Sequence, residues 1–250
     1  MTKKKVLSKL NPLFLDGIAH RGFHNDKYTE NGMNAFENAI KHNLPLEFDI
    51  HLTKDNELVV CHDEDLFRTT GTHGIIEDLS LKEIKENYRL LDGGEVPTFE
   101  ELLNFVDERV PIVIELKVFR KNYKPLAKRV KEVLMPHVKD KKNYMLISFD
   151  PRSLWPLKRL GIVRSLLIAK SHLYVYKYFR HTIETIDIEQ VLLEDKKIQK
   201  YCHKHLTNVW TIETDEQLQN VLPYVDTVTF QHMDEKLVKE SLQKKRGLLN

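Results

Sequence analysis

Three stretches of this sequence put charged side chains where a chain ordinarily buries apolar ones. Ile112-Val113-Ile114-Glu115-Leu116-Lys117 is apolar until its end and then sets a carboxylate and an ammonium two residues apart. Leu46-Glu47-Phe48-Asp49-Ile50-His51-Leu52 alternates polar and apolar residues, and a short apolar run ends in Ala19-His20-Arg21-Gly22, with a glycine that lets the backbone turn or approach a ligand. Charged groups are rarely buried without partners, and residues two apart on a strand share a face. A hairpin signal, Thr53-Lys54-Asp55-Asn56-Glu57, then leads into Leu58-Val59-Val60-Cys61-His62. Asp and Asn tolerate the positive φ of a two-residue turn. Such a turn at Asp55-Asn56 would pair Lys54 with Glu57, Leu52 with Val59, Ile50 with Cys61 and Asp49 with His62, which places His62 on the face of Glu47 and Asp49.

Three strand ends thus supply the carboxylates Glu47, Asp49 and Glu115, the imidazoles His20 and His62, the Arg21 guanidinium and the Lys117 ammonium. Three hard oxygen donors without a thiolate cluster suit one divalent cation, Mg²⁺ or Ca²⁺, better than zinc or copper. Arginine offers a planar fork for phosphate oxygens and lysine a compact charge, so with a metal they can neutralise a phosphodiester and its transition state. Two histidines can divide the proton work, one taking a proton from the attacking hydroxyl and the other giving one to the leaving alkoxide. Together these groups point to phosphoryl transfer from a diester.

The elements that must position these groups read as alternating strands and helices, the pattern of parallel strands with crossover helices. Strands are expected over 17–19, 45–52, 111–117, 144–149, 163–169, 185–188, 207–212 and 227–230. Amphipathic helices are expected over 31–42, 98–107, 123–137, 151–160, 189–205, 214–222 and 235–244. Eight strands suit a closed (β/α)8 TIM-type barrel in the α/β class, whose sites form at the C-terminal strand ends. Residues 66–96, with Gly71, Gly74, Gly93 and Gly94, break the alternation and read as a small subdomain inserted after the second strand. No linker splits the chain, so residues 1–250 read as one barrel domain.

At these residues the sequence resembles the glycerophosphodiester phosphodiesterases. The resemblance rests on His20-Arg21-Gly22, Glu30-Asn31, Ala35-Phe36, Glu47-x-Asp49, Thr53-Lys54-Asp55, Leu58-Val59-Val60, His62-Asp63, Leu66-x-Arg68-Thr69-Thr70-Gly71, Pro97-Thr98 and Glu115-x-Lys117. It continues more loosely through Ser148-Phe149 and Val209-Trp210-Thr211. It implies hydrolysis of glycerophosphodiesters to glycerol 3-phosphate and an alcohol. By motif position it implies Glu47, Asp49 and Glu115 as metal ligands, His20 and His62 as the acid/base pair, and Arg21 and Lys117 as phosphate contacts. Trp210 and Phe149 are either walls for the substrate or barrel packing. The sequence departs from the family pattern at Gly32, at Leu44-Pro45-Leu46 and at Val225-Asp226-Thr227-Val228-Thr229-Phe230-Gln231, which bears on the pocket that reads the glycerol and the leaving alcohol rather than on the reaction. A sphingomyelinase D-like lipid phosphodiesterase and a non-catalytic barrel that binds phosphoryl ligands are the alternatives.

Composition excludes other classes. The 39 Lys and Arg against 37 Asp and Glu leave a formal charge of +2, too small a field to argue for nucleic acid. Cys61 and Cys202 form no metal spacing and read as free thiols of a reducing compartment. The basic start, Lys3 to Lys5, is interrupted before an apolar stretch develops, so a cytoplasmic protein is expected, with no transmembrane segment. His24, His51, His73, His203 and His205 are expected to be structural or superficial.

Overall fold

In a computed structural model, which describes residues 2–179 and 182–249, nine strands follow one another. They are β1 (Ile18–Ala19), β2 (Leu46–Leu52), β3 (Leu58–Val60), β4 (Ile112–Leu116), β5 (Tyr144–Ser148), β6 (Val163–Ile168), β7 (Thr185–Glu189), β8 (Thr207–Ile212) and β9 (Thr227–Phe230). All except β3 run parallel in one sheet. Strand β1 pairs with β2 at Ala19↔Leu46 and with β9 at Ile18↔Thr229, which closes the sheet into an eight-stranded barrel. The strand at 185, short and bounded by charged residues, takes its expected place between β6 and β8.

Helices pack outside the barrel because alternate strand residues, such as Phe48 and Ile50 in β2, form the outer core with helix residues such as Phe36, Phe99 and Leu102. The helix Phe99–Val106 starts where a Thr98/Glu101 capping box satisfies its first amides, and Asp215–Val221 starts on a Thr214/Gln217 box. The helix expected over 151–160 covers only Pro151–Leu154 before passing into a 3₁₀ turn, Trp155–Leu160. Pro156 has no N–H to continue the α pattern. The helix expected over 189–205 divides at Asp195, whose side chain accepts from the Lys197 amide and begins Lys196–Lys204. A short helix at Leu173–Phe179 and another at Lys3–Leu7 were not expected.

The N-terminal segment has a packing role that its basic start does not announce. Val6, Leu10 and Phe14 join Ile18, Val113, Met145, Ile147, Val163, Leu167 and Leu206, from the barrel's inner face, in one buried cluster. The lower barrel is therefore a packed core rather than a pore. Thr227 donates its hydroxyl to the Phe14 carbonyl at 2.7 Å, and Lys3 pairs with Asp226 at 2.5 Å.

The hairpin register is one residue away from expectation. Ile50 pairs with Val60, His51 with Val59 and Leu52 with Leu58. The loop is three residues long, because Thr53 donates to the Glu57 carbonyl at 2.8 Å and Asn56 alone takes positive φ, at 64°. Asp55 serves elsewhere: it accepts from the Thr53 hydroxyl at 2.6 Å and from the Leu81 amide at 3.1 Å, tying the hairpin to the following excursion. That excursion, about residues 66–96, carries short helices at Phe67–Thr70 and Leu81–Asn87. Its own small core of Leu66, Ile76, Ile84, Tyr88, Leu90 and Val96 closes over Val59 and Cys61.

Candidate active site

Glu47 and Asp49 on β2 and Glu115 on β4 project from adjacent parallel strands, with Asp49 in register with Glu115. Each offers a carboxylate oxygen to a cluster whose atoms lie within 4.8 Å of one another, all buried. Two cations face it. Lys117 Nζ lies 2.9 Å from Glu115 and 3.4 Å from Asp49, while Arg21 Nε lies 3.5 Å from Asp49. Burial alone would raise the Asp49 carboxyl, but Lys117, His62, Arg21 and an Asn31 hydrogen bond hold it well below the usual range. Glu47 goes the other way, pushed well up by burial and by repulsion from Asp49 and Glu115. Burial pushes Glu115 up to about 7, with Asp49 adding to the rise and Lys117 opposing it. Three carboxylates share two cations, so Glu47 and Glu115 resist ionising without a further positive charge, and Asp49 Oδ1 has no hydrogen-bond donor. A donor set of this composition fits a hard divalent ion.

The backbone turns after β1 to deliver the two residues beside this cluster. Arg21 has φ 52°, and Gly22 has φ 79° with its missing side chain 2.9 Å from the Ala35 backbone, so only glycine fits there. The Arg21 amide donates to Glu47 at 3.0 Å, and Asn31, also at positive φ, donates its side-chain amide to Asp49 at 3.0 Å.

His20 and His62 line the same recess as Arg21, Glu47 and Glu115. His20 Nδ1 meets Gln231 Oε1 at 2.5 Å. Gln231 Nε2 donates to Glu213 Oε1 at 2.5 Å, and a carboxylate only accepts, so Gln231 must present its oxygen to the imidazole. His20 therefore carries its proton on Nδ1 and keeps Nε2 as a lone pair. Burial, then Arg21, drop its pKa to about 3, so its imidazole is neutral. His62 reaches the recess by a route other than the expected ladder. The β2–β3 ladder ends where the Cys61 amide donates to the Asp49 carbonyl at 3.1 Å, and the chain turns there. His62 Nδ1 then meets Asp63 at 2.6 Å.

Behind His62 runs a chain of ion pairs anchored in the inserted segment. Arg68 Nε donates to Asp63 at 2.6 Å and its two terminal nitrogens grip Glu30 at 2.7 and 2.9 Å. Glu30 also accepts from Arg21 at 2.8 Å. One continuous path of alternating charge thus sets the orientation of His62 at one end and Arg21 at the other.

Residues 20–238 match the glycerophosphoryl diester phosphodiesterase family. The chain belongs to this family. It is 36% identical over 146 residues to a glycerophosphodiester phosphodiesterase of Bacillus altitudinis, a match that spans 55% of this chain and 59% of the relative. The barrel superposes on the crystal structure of a glycerophosphodiester phosphodiesterase from Thermotoga maritima with a TM-score of 0.68 at 26% identity, covering 92% of this chain and 96% of that one. A phosphodiesterase of Oleispira antarctica, solved in complex with the product sn-glycerol-3-phosphate, shares the fold with a TM-score of 0.75 at 20% identity, over 92% and 96% of the two chains.

Other parts of this family member were less visible in sequence. Phe149 and Trp210 meet edge to face at 5.7 Å, and both line the recess while packing on the inner barrel core. Wall and core are one role here. Below them Asp187, Asn208 and Thr229 reach the same recess from β7, β8 and β9. A wider depression of about 500 Å³ adjoins it on the Lys117 side, walled by Phe119, Phe149, Arg152, Tyr174 and Phe179. Gly32 admits Leu90 of the insertion, because a Cβ there would stand 2.9 Å from its Cδ1. His51 is buried and braced between Glu77, at 2.7 Å, and the His62 carbonyl, at 3.1 Å. His24 lies 3.3 Å from Gln231, His73 pairs with Asp65 at 2.8 Å, and His203 and His205 pack on Tyr224 and Tyr201. Of these, His51 and His24 support the site rather than forming it. Glu30, Asp63 and Arg68 lie in the family motif, and only their geometry shows what they do.

Proposed function

We propose that this chain hydrolyses glycerophosphodiesters to glycerol 3-phosphate and an alcohol, acting as one barrel unit with its insertion. The observation that carries the reading is the convergence of two imidazoles, each oriented through Nδ1, on a recess lined by Arg21, Glu47 and Glu115, with Asp49 and Lys117 paired to that cluster at its side. A Mg²⁺ or Ca²⁺ ion held by Glu47, Asp49 and Glu115 would supply charge neutralisation to the phosphoryl oxygens. Arg21 and Lys117 bind those oxygens and align the diester. His20 Nε2 takes the proton of the attacking hydroxyl, whether the substrate's neighbouring hydroxyl or water. His62, with Asp63 behind it to stabilise the imidazolium, gives a proton to the leaving alkoxide. Phe149 and Trp210 wall the glycerol side and exclude water from it, and the depression beyond Lys117 receives the alcohol. Two buried free thiols accord with a reducing, cytoplasmic setting. Among the described residues no helix is long and apolar enough to cross a membrane.

The test is release of glycerol 3-phosphate from glycerophosphocholine and glycerophosphoethanolamine by purified protein, with Mg²⁺, with Ca²⁺ and with chelator. Release that chelator abolishes and one of the ions restores is the expected result. Metal-independent release would remove the carboxylate cluster from the mechanism, and no release under any condition would refute the assignment.

A further inference from the structure

The inner face of the barrel changes character partway up. Its lower part is apolar, built on Val113, Met145, Val163 and Leu206, and its upper part on β2 and β4 is the charged cluster. On β7, β8 and β9 a third kind of surface stands between them: Asp187 is 2% exposed, Asn208 5% and Thr229 4%. Asp187 sits in register with Asn208, so neighbouring strands present them side by side. Asn208 donates to the Thr229 hydroxyl at 2.8 Å, yet its Oδ1 has no hydrogen-bond partner although the residue is buried. The Trp210 Nε1 beside it is likewise a buried donor without an acceptor. A buried polar atom left bare is costly, because it has given up its water without gaining a partner. All four residues line the recess that holds His20, Arg21 and Glu47, whose volume of about 130 Å³ is room for roughly four waters at about 30 Å³ each, or for a three-carbon polyol.

We propose that Asp187, Asn208 and Thr229 form a hydroxyl-reading floor that binds the free hydroxyls of the substrate's glycerol arm and so sets specificity for polyol phosphodiesters. The proposal rests on the reading of the site as a glycerophosphodiester hydrolase and names residues to which the family motifs give no role. With the phosphoryl group held at Arg21 and Lys117, the three-carbon arm descends past the Phe149 and Trp210 rings toward these groups. Asn208 Oδ1 accepts from one hydroxyl, Trp210 Nε1 donates to it or its neighbour, and Asp187 serves as donor or acceptor. Burial raises its carboxyl to about 7, which keeps both forms accessible near neutrality. A structural origin for the same cluster, a polar layer hydrated by trapped water, would contribute to folding and would not discriminate between ligands.

The experiment compares binding of sn-glycerol 3-phosphate and n-propyl phosphate, which differ only in the two hydroxyls, by calorimetry with Mg²⁺ present. A site built to hydrogen-bond hydroxyls strongly rejects an analogue that lacks them. The wild-type protein is expected to prefer the glycerol ester by tenfold or more. Asn208→Leu, which keeps the branch at Cγ without polar atoms, and the isosteric Thr229→Val should each shrink that ratio toward one while propyl phosphate affinity stays within about twofold. Melting curves are taken to check that each variant folds, and Thr229→Val stands as the test if Asn208→Leu does not fold. Equal wild-type affinity for the two esters, or an unchanged ratio in a folded variant, would overturn the floor. Wild-type turnover of glycerophosphocholine, measured alongside, separates the failures: turnover with no hydroxyl preference sinks only this proposal, and no turnover sinks the assignment on which it rests.

Discussion

The two walls of the recess are built on opposite principles. The wall from β1, β2 and β4 is dense in charge, and its groups are held by ion pairs even where a hydrogen bond is missing, as at Asp49 Oδ1: Arg21 with Glu30 and Asp49, Lys117 with Glu115 and Asp49, His62 with Asp63. The wall from β5 to β9 carries aromatic rings, one neutral amide, two threonines and a single carboxylic acid, and two of its buried polar atoms, Asn208 Oδ1 and Trp210 Nε1, have no hydrogen-bond partner. A paired wall is rigid before substrate arrives, which is what electrostatic stabilisation of a transition state requires. An unpaired wall gains its partners from the ligand, which is what selection among ligands requires. On the function proposed above, chemistry and choice are lodged on different strands.

Substitution at the paired wall should produce the largest effects. His20→Ala or His62→Ala is expected to slow turnover of glycerophosphocholine by about 10²- to 10⁴-fold, with the melting temperature little changed. Near-normal kcat in both variants would undo the proton-transfer roles. Next comes the chain of charge behind that wall. Asp63→Asn or Arg68→Ala removes no group that touches substrate, but loosens His62 and Arg21 together, so a loss of up to about a hundredfold is expected, carried by kcat more than by KM. Since the Asp63 carboxylate stabilises the imidazolium, Asp63→Asn should also displace the alkaline limb of the kcat profile to lower pH, and an unmoved limb would reduce Asp63 to a structural residue.

The smallest effect on turnover, and the one that separates the walls by stability, concerns Asp187. Its carboxyl is raised by burial to about 7, so the stability it contributes is fully present below about pH 4 and is lost as pH rises through 7. Asn keeps the shape and cannot ionise. The Asp187→Asn variant should therefore melt close to wild type near pH 4 and several degrees above it at pH 8. A tenfold difference in proton affinity between the folded and unfolded chain is worth about 1.4 kcal/mol, and 1 kcal/mol moves the melting temperature of a chain this size by about 2–4 °C. Equal melting temperatures across that range would mean that Asp187 is solvated rather than desolvated.

The paired wall was legible in the sequence, and the other largely was not. Charged residues at the ends of apolar strands are conspicuous, and Glu47, Asp49, Glu115, Lys117, His20 and Arg21 meet where the strand pattern predicts. His62 also arrives, although the pairing that led to it was one residue out of register. Asp55 was free to tie down Leu81 rather than turn the hairpin, so a third residue entered the loop, and the local turn signal does not contain that tertiary contact. On the far wall, Asp187 sits in Thr185-Ile186-Asp187-Ile188-Glu189, whose alternation is equally that of a strand with one solvated face. Nothing local says that this face turns inward. Gln231 was visible only as a departure from the family ending, and its hold on His20 depends on Glu213, which follows the preceding strand. Val6, Leu10 and Phe14 were hidden by the lysines around them, since three apolar residues at a spacing of four announce a face but not what it covers.

The link from Arg68 in the inserted segment to Glu30 and Arg21 at the barrel rim bears on how such proteins can be recombined. An insertion of this kind resembles a module that could be traded between related barrels to alter what reaches the mouth. Here the trade would cut a carboxylate–guanidinium pair whose halves lie 38 residues apart, leaving Glu30 with Arg21 as its remaining cation and Asp63, behind His62, without the guanidinium that holds it. The heritable unit of exchange is therefore the insertion together with residues 20–31, and a chimaera that carries both should keep its catalytic geometry where a loop swap alone would not.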